Sequence, residues 1–259
     1  MELKFIKYEK RGHLAYITLN RPEVMNALHP PCHLEMDHVW DDFAADREMW
    51  VAILTGAGER AFSAGNDLKW TAEHRGERPQ MSKGGFGGIT SRFDLTKPVI
   101  AAVNGFALGG GCEIALACDI IIAADHARLG LPEPRVGLMA GAGGVHRLPR
   151  HIPLKIAMGM ILTGKHLLAA EAHRWGLVNE VVPLTDLIAT AERWAGEIME
   201  CSPVSIQASK EAAMSGLGMG LQEACAHKFP GTEKMWKSKD AIEGPLAFAQ
   251  KRKPQWKNE

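Results

Sequence analysis

The sequence predicts an α/β fold with a parallel sheet at its centre. Three short apolar runs, at residues 50–55, 99–103 and 120–124, have the composition of strands that are buried on both faces. A glycine-started helical segment separates the second run from the third, and this strand-helix-strand order is typical of parallel strands. From residue 154 onward the apolar pattern is mainly helical. We therefore expect a sheet-containing core over residues 1–195 and a helical region over residues 196–259.

Turn and cap residues define the elements of the first third of the chain. The predicted elements there are hairpin strands at 5–8 and 14–19, a helix at 32–45, and a strand-to-turn passage at 61–69. Asn66 and Asp67 have side chains that can cap a helix that follows them. Residues 71–89 are polar and rich in glycine, which predicts an excursion over the surface.

Helical patterns dominate the second half of the chain. A GAGG loop at 141–144 leads into a helix near Val145. The elements predicted after it are helices at 154–162, 169–175, 184–199, 204–214, 221–229 and 240–250, with one strand at 177–182. No low-complexity linker separates these elements, so they are expected to pack on one core.

Composition excludes several classes of protein. Thirty basic and thirty acidic residues leave no net charge, which argues against a partner that is nucleic acid or an anionic membrane. The five cysteines are odd in number and form no CxxC pair, so neither a disulfide framework nor a zinc knuckle is expected. The N-terminus has no signal or transit character. These features predict a cytoplasmic protein with reduced thiols.

Common cofactor and nucleophile motifs are missing from the sequence. No GxGxxG follows a strand, and neither a P-loop nor a GxSxG elbow occurs. His29 and His33 are four residues apart, but Pro30 and Pro31 between them disrupt the helical face that a zinc site of this spacing needs. We therefore expect no metal and no prosthetic group.

The stretch 109–113, with the sequence GGGCE, is the strongest candidate for a site. Three glycines stand where a strand passes into a helix, and unpaired amide N–H groups at a helix start suit developing negative charge. Glu113 follows directly, and Glu133 lies twenty residues later in an LPEP turn. Taken singly, Glu113 also fits a favourable dipole contact and Glu133 an exposed proline turn.

Together these segments resemble the enoyl-CoA hydratase (crotonase) superfamily over essentially the whole chain. The matching segments are LNRP at 19–22, NAL at 26–28, FSAGNDL at 62–68, KPVIAAVNG at 97–105, ALGGGCE at 107–113, LPE at 131–133, GAGG at 141–144 and residues 172–178. The resemblance implies an α/β crotonase-like spiral of ββα repeats with a helical C-terminal trimerisation region. It also implies a homotrimer or a dimer of trimers, and a place among the lyases of acyl-CoA and fatty acid metabolism.

Site residues are implied by the same resemblance. The backbone N–H groups of Asn66 and Gly110 match the two donors of an oxyanion hole, which holds the thioester carbonyl of an acyl-CoA. Coenzyme A is thus expected as part of the substrate. The positions that match CoA contacts are Ala64, Asn66, Asp67, Leu68, Lys69 and Gly110, with Phe248 and Lys251 reaching a CoA on a neighbouring subunit.

The two glutamates favour hydration of a double bond. Superfamily members that hydrate an enoyl-CoA carry glutamates at both matching positions, whereas isomerases commonly keep one. The resemblance assigns activation of water to Glu113 and proton transfer at the α-carbon chiefly to Glu133. An enoyl-CoA hydratase is therefore the first expectation, and a crotonase-fold acyl-CoA lyase or isomerase is an alternative.

Substrate choice rests on a narrower resemblance. Four segments resemble the carnitinyl-CoA (crotonobetainyl-CoA) dehydratase branch, which is a specific alternative: GNDLK at 65–69, GFGG at 85–88, FDL at 93–95 and DAIEGPLAF at 240–248. Trp70 or Glu73 would suit its trimethylammonium group. Ala140 replaces a proline common in hydratases, and Met139 beside it is a candidate for the acyl pocket. A non-catalytic RNA-binding member of the fold is an alternative from another class, disfavoured by the neutral charge.

Overall fold

A computed structural model describes residues 1–74 and 82–259, and two sheets organise them. The strands are β1 (Ile6–Arg11), β2 (Leu14–Leu19), β3 (Val51–Gly56), β4 (Ala61–Ser63), β5 (Val99–Val103), β6 (Phe106–Leu108), β7 (Ile120–Ala124), β8 (Arg128–Gly130), β9 (His166–Leu168) and β10 (Glu180–Val182). The larger sheet has the order β1-β2-β3-β5-β7-β10, and the smaller has the order β4-β6-β8-β9. From β2 to β10 the larger sheet is parallel, as the sequence predicts.

Helices cover the sheets and form the C-terminal region. They are α1 (Pro30–Ala45), α2 (Leu68–Glu73), α3 (Gly110–Ala117), α4 (Gly144–His151), α5 (Leu154–Thr163), α6 (Ala169–Arg174), α7 (Leu187–Met199), α8 (Pro203–Gly216), α9 (Leu221–Ala226), α10 (Pro230–Trp236) and α11 (Asp240–Ala249). None of the helices within residues 1–74 and 82–259 is long and apolar enough to cross a membrane.

A ββα order recurs along the chain, and we call each such unit a repeat. The repeats are β3-β4-α2, β5-β6-α3 and β7-β8-α4. In each, the first strand joins the larger sheet and the second joins the smaller one, where β4, β6 and β8 pair in parallel. This is the crotonase-like spiral that the sequence predicts. Equivalent positions of successive repeats therefore lie side by side.

The central strands are buried on both faces because side chains alternate along them. Ile53 and Ile100 face α7 in one apolar cluster, together with Leu187. Leu54 and Ala101 belong to the opposite cluster, which includes residues of α1 and α3. The continuous apolar runs in the sequence correspond to this two-sided burial.

Short elements are what the sequence analysis missed. The strands β6, β8 and β9 have three residues each, too few to show an alternating pattern, and α10 begins with a Pro-Gly pair that resembles a turn. The predicted strand at 177–182 is shorter, beginning at Glu180, since Asn179 uses its side chain to accept the Ile121 N–H. The hairpin, α1 and the other long helices agree with the prediction within a few residues.

The predicted surface excursion at 71–89 is wrong at its C-terminal end, which is buried, whereas the residues at its start, 71–74, are partly or fully exposed. The first of these residues continue α2, and the last, from Gly84 to Ile89, pack against α1. Trp40 of α1 donates its indole N–H to the Gly87 carbonyl at 3.0 Å, and Gly84 donates its N–H to Asp37 Oδ1 at 3.1 Å. Glycines permit this close backbone approach. The central part of the prediction, at 75–81, lies outside the described residues.

Candidate active site

Asn66 and Gly110 occupy equivalent positions in the first and second repeats. Each follows the smaller-sheet strand of its repeat, where the chain turns toward a helix. Gly65 brings them together: a Cβ on Gly65 would lie 2.8 Å from the Gly110 nitrogen and 2.7 Å from the Leu108 carbonyl oxygen. Its φ of +88° also favours glycine. The two predicted oxyanion donors therefore lie close together.

A bridge to Leu28 determines the direction of the Asn66 amide. Leu28 donates its N–H to Gly65 O at 2.7 Å and accepts the Asp67 N–H at 2.9 Å. A parallel bridge of this kind uses the residues on both sides of Asn66, so the N–H of Asn66 itself points away from Leu28. Gly110 is the first residue of α3, where amides have no partner within the helix. Among residues 1–74 and 82–259, neither amide has a hydrogen-bond partner, so both are available to an anion.

Glu113 is a buried acid in the first turn of α3. It is only 3% exposed, and its Oε1 accepts the Gly144 N–H at 2.8 Å. Burial raises the pKa of Glu113 to about 7, although the Gly144 hydrogen bond opposes the shift; the charge of Glu133 adds to it. A carboxyl group with such a pKa can gain and lose a proton near neutral pH.

Glu133 begins a short 3-10 turn after β8, in the third repeat. A Cβ on Gly109 would lie 3.0 Å from Glu133 Oε1, so the carboxyl group faces the glycine turn. Among the described residues, Glu133 Oε2 is buried and has no hydrogen-bond partner. Burial raises the pKa of Glu133 as well. An unpartnered buried acid is costly for stability and is typical of a functional site.

The glycine at 144 and the phenylalanine at 86 are components that the sequence analysis did not assign. Gly144 holds Glu113 through its amide, and it begins α4 as Gly110 begins α3, so the same reasoning about helix starts would have found it. The Phe86 ring lies against the backbone of Gly110, where an added Cβ would overlap it. Phe86 is a single aromatic residue among glycines, which was the available signal.

The other predicted site residues near α2 and before α4 differ in how exposed their side chains are. Trp70 is half-buried on α2 and stacks on His74 with ring centroids 3.9 Å apart. Met139 is 68% exposed, whereas the adjacent Ala140 is buried with its Cβ facing Gly144. The positions predicted to contact CoA form the exposed start of α2 and the segment before it, and Asp67 among them is buried as the helix cap.

Phe248 and Lys251 lie on the C-terminal arm. Phe248, on α11, is 88% exposed, and Lys251 follows that helix with a left-handed φ of 53°. Within residues 1–74 and 82–259, no group of three or more His, Cys, Asp or Glu residues is arranged to hold a metal ion. Two carboxyl groups and two amides come together around the glycine turn, an arrangement that suits proton transfer beside a carbonyl group whose charge develops toward the amides.

Comparison with known proteins identifies close relatives. A family model described as "Enoyl-CoA hydratase/isomerase" matches residues 9–259. Proteins named carnitinyl-CoA dehydratase are 43% identical in Salmonella arizonae, covering 97% of this chain and 98% of the relative, and 45% identical in Escherichia coli, covering 96% of each.

Solved structures are similar over the same length. A structure described as enoyl-CoA hydratase from Mycobacterium tuberculosis superposes with a TM-score of 0.92 and 39% identity, covering 98% of this chain and 99% of that one. Another, from Bacillus anthracis, has a TM-score of 0.90 and 37% identity, covering 99% and 100%. The similarity thus includes both the sheets and the C-terminal helices.

Proposed function

The chain belongs to the enoyl-CoA hydratase/isomerase family, and from this premise we propose how its residues act and which acyl group it accepts. It is a hydro-lyase that adds water reversibly to the double bond of a 2-enoyl-CoA thioester. The observation that carries the assignment of roles is the arrangement of Glu113 and Glu133 around the glycine turn that bears the Gly110 amide.

Addition begins at the β-carbon. Glu113, in its ionised form, takes a proton from a water molecule while the water oxygen bonds to the β-carbon. The electron pair of the double bond moves toward the thioester, and negative charge develops on the carbonyl oxygen. The amides of Asn66 and Gly110 stabilise this charge, and each such donor contributes roughly 10²–10³-fold.

Completion of the reaction needs a proton at the α-carbon. Glu133, in its protonated form, donates that proton to the enolate. Burial raises the pKa of Glu133, which favours this form. The product has gained one water molecule. After the reaction Glu113 is protonated and Glu133 is ionised, the reverse of their starting states. Proton exchange with solvent restores the starting state. Both additions occur on the face of the substrate that the glutamates share, which gives syn stereochemistry.

For the acyl group we propose crotonobetainyl-CoA, with carnitinyl-CoA as the hydrated partner. Support comes from the names of the curated relatives and from the segments at 65–69, 85–88, 93–95 and 240–248 that resemble this branch. An indole ring is a good partner for a quaternary ammonium group, and Trp70 presents one on α2. A general short-chain enoyl-CoA is the second candidate, favoured by the names of the structural neighbours.

A panel of thioesters distinguishes these candidates. We expect kcat/KM for crotonobetainyl-CoA to exceed that for crotonyl-CoA, longer enoyl-CoA and aromatic enoyl-CoA by about tenfold or more, a discrimination of the size that one charged or aromatic contact supplies. Hydration is followed by the loss of enoyl thioester absorbance and by mass change. A higher kcat/KM for crotonyl-CoA would overturn the choice of acyl group, and no turnover of any thioester, with salt-sensitive RNA binding, would overturn the enzymatic role.

We also propose that residues 196–259 assemble the chain into a trimer or a dimer of trimers. Large apolar side chains of this region are exposed in the single chain, among them Leu217, Leu221, Trp236, Ile242 and Phe248. Burial of such a surface stabilises association. In the trimer, Phe248 and Lys251 would contact CoA bound to a neighbour. Sedimentation equilibrium is expected to give three or six chains, and a monomer at micromolar concentration would contradict the shared CoA site.

A further inference from the structure

Arg21 and Asp67 form a nearly buried ion pair beside the Asn66 amide. Their side chains are 14% and 11% exposed, and Arg21 Nη1 donates to Asp67 Oδ2 at 2.9 Å. The same nitrogen donates to the Ala27 carbonyl oxygen at 2.6 Å. One guanidinium group thus joins the segment at 25–28 to the residue that directly follows Asn66.

Asp67 has a second attachment, to α2. Its Oδ1 accepts the Trp70 N–H at 3.1 Å, which makes Asp67 the cap of the helix. Its backbone N–H bonds to Leu28, as described above. Asn66 therefore lies between a glycine with positive φ and an aspartate that is held by hydrogen bonds to Arg21, Trp70 and Leu28.

The segment that Arg21 contacts is itself under backbone strain. Met25 and Asn26 both adopt left-handed conformations, with φ of 56° and 55°, although neither is glycine. The main chain of Arg21 also bonds to Asn26. The Arg21 N–H donates to Asn26 Oδ1 at 2.9 Å, and the Arg21 carbonyl accepts the Asn26 N–H at 2.8 Å. Strained residues of this kind persist only where the surroundings determine them, and they occur mainly at functional sites.

Stability alone does not require a charged pair here. Apolar side chains of similar volume commonly replace a buried ion pair without loss of stability. What apolar groups do not supply is direction, because hydrogen bonds fix the orientation of the backbone they join. An oxyanion hole needs such direction, since its donors act only when aimed at the position of the developing charge.

We propose that Arg21 and Asp67 are positioning residues that fix the Asn66 amide toward the thioester oxygen. The inference rests on the proposed role of Asn66 as an oxyanion donor. Both side chains bond within the protein, Arg21 to Ala27 and Asp67, and Asp67 to Trp70, so we place neither at the reacting atoms. Arg21 acts through Ala27 and Leu28 on one side and through Asp67 on the other, and the pair holds the Asn66 peptide at the distance from Gly110 that Gly65 permits.

The variants Arg21→Met and Asp67→Asn test the proposal. Arg21→Met keeps the apolar part of the side chain and removes both hydrogen bonds. Asp67→Asn keeps an oxygen for the Trp70 N–H while removing the charge opposite Arg21. Lys210→Met is the matched control, because Lys210 joins a carboxylate, Asp119 at 2.7 Å, and a backbone carbonyl on a partly buried surface away from the glutamates.

Two measurements separate positioning from a general structural role. The first is affinity by calorimetry for butyryl-CoA and for S-butyl-CoA, a thioether that has the same CoA and chain but no carbonyl group. The second is the absorbance of a bound cinnamoyl thioester of CoA, whose band moves to longer wavelength when its carbonyl is polarised. Both depend on the donors, and neither changes with overall stability as long as the protein is folded.

For Arg21→Met and Asp67→Asn we expect kcat to fall about 10²-fold, the scale of an ångström misplacement at a reacting centre. Butyryl-CoA affinity should fall about tenfold while S-butyl-CoA affinity stays within twofold, and the absorbance shift should shrink. Because the two residues act as one unit, the double variant should lose little more than either single variant. Lys210→Met should keep the wild-type values.

Other outcomes overturn the proposal in distinguishable ways. Equal loss of affinity for both ligands, or unchanged kcat in folded Arg21→Met, excludes a positioning role and leaves the oxyanion hole intact as a proposal. Wild-type protein that binds the thioester and the thioether equally, with no absorbance shift, excludes the oxyanion role of Asn66 and with it this inference. If Arg21→Met does not fold, Asp67→Asn alone decides between these outcomes.

Discussion

Replacing Glu113 by glutamine is expected to lower kcat by about two orders of magnitude or more, the scale of general acid–base catalysis. The amide oxygen of glutamine still accepts the Gly144 N–H, so the side chain should keep its place. What is lost is the ability to take a proton from water. Dissociation constants for acyl-CoA should change little. Steady-state kinetics and calorimetry measure the two effects separately.

The hydration rate and the stability of the wild-type enzyme should both depend on pH through the titration of Glu113. The pKa of Glu113 is raised to about 7, so its ionised, active form accumulates as pH rises, and the rate of hydration should rise through about pH 7. Stability should change in the opposite sense: the folded state holds the proton that the unfolded chain loses near 4.5, so this contribution falls as pH rises between 4.5 and 7. Glu113→Gln should remove both dependences.

Glu133→Gln is expected to lower kcat by a similar factor, because glutamine does not supply the proton for the α-carbon. Glu197→Gln is a matched control, since Glu197 is an exposed acid that pairs with Arg193 on α7. It should retain wild-type kcat. Near-normal turnover in either the Glu113 or the Glu133 variant would rule out the two-carboxylate mechanism.

Gly110→Val is expected to abolish binding of acyl-CoA, an effect of about 10²-fold or more on affinity and turnover, since one donor is misplaced and the site is blocked. A side chain at Gly110 would also obstruct the thioester bound at its amide. The structure gives a different first collision: an added Cβ at Gly110 would overlap the Phe86 ring. Phe86 is packed against α1, so the new side chain displaces either the ring or the start of α3.

Gly159→Val is the matched control for this substitution. Gly159 lies in α5 with nothing within 4 Å of an added Cβ, so valine there should cost only helix propensity and leave affinity unchanged. Calorimetric titration with butyryl-CoA compares the two variants. Wild-type affinity in a folded Gly110→Val protein would contradict the placement of the thioester.

The parts of the fold that the sequence predicts are those with long or two-sided patterns. The run 99–103 is apolar throughout because both of its faces are buried, and α1 follows from its periodicity. The three-residue strand β6 was not predicted from the sequence. Its ends are set by pairing with β4 and β8, which are distant along the chain. Local patterns carry no information about such pairing.

The candidate site also has a part that local sequence predicts and a part that depends on contacts between distant segments. Glu113 could be predicted because the glycines that form its surroundings directly precede it in the chain. The Gly144 amide that binds Glu113 is thirty-one residues away in the sequence, and Arg21 is separated from Asp67 by forty-six. Contacts of this kind follow from the spiral, which brings successive repeats together. Only the resemblance to a known family related Glu133 to Glu113 before the structure was known.

The Phe86 ring lies against Gly110 but comes from a different part of the chain than the two proposed donors. Both amide donors follow strands of the smaller sheet, and their spacing is set by β4 pairing with β6. Phe86 belongs instead to a connection between α2 and β5, outside the ββα repeats. We expect substitutions in that connection to reshape the wall over Gly110 more than they move the proposed donors, because the donors follow paired strands. In a protein with this architecture, we therefore expect the accepted acyl group to be changeable through one connection while the two proposed proton-transfer residues stay the same.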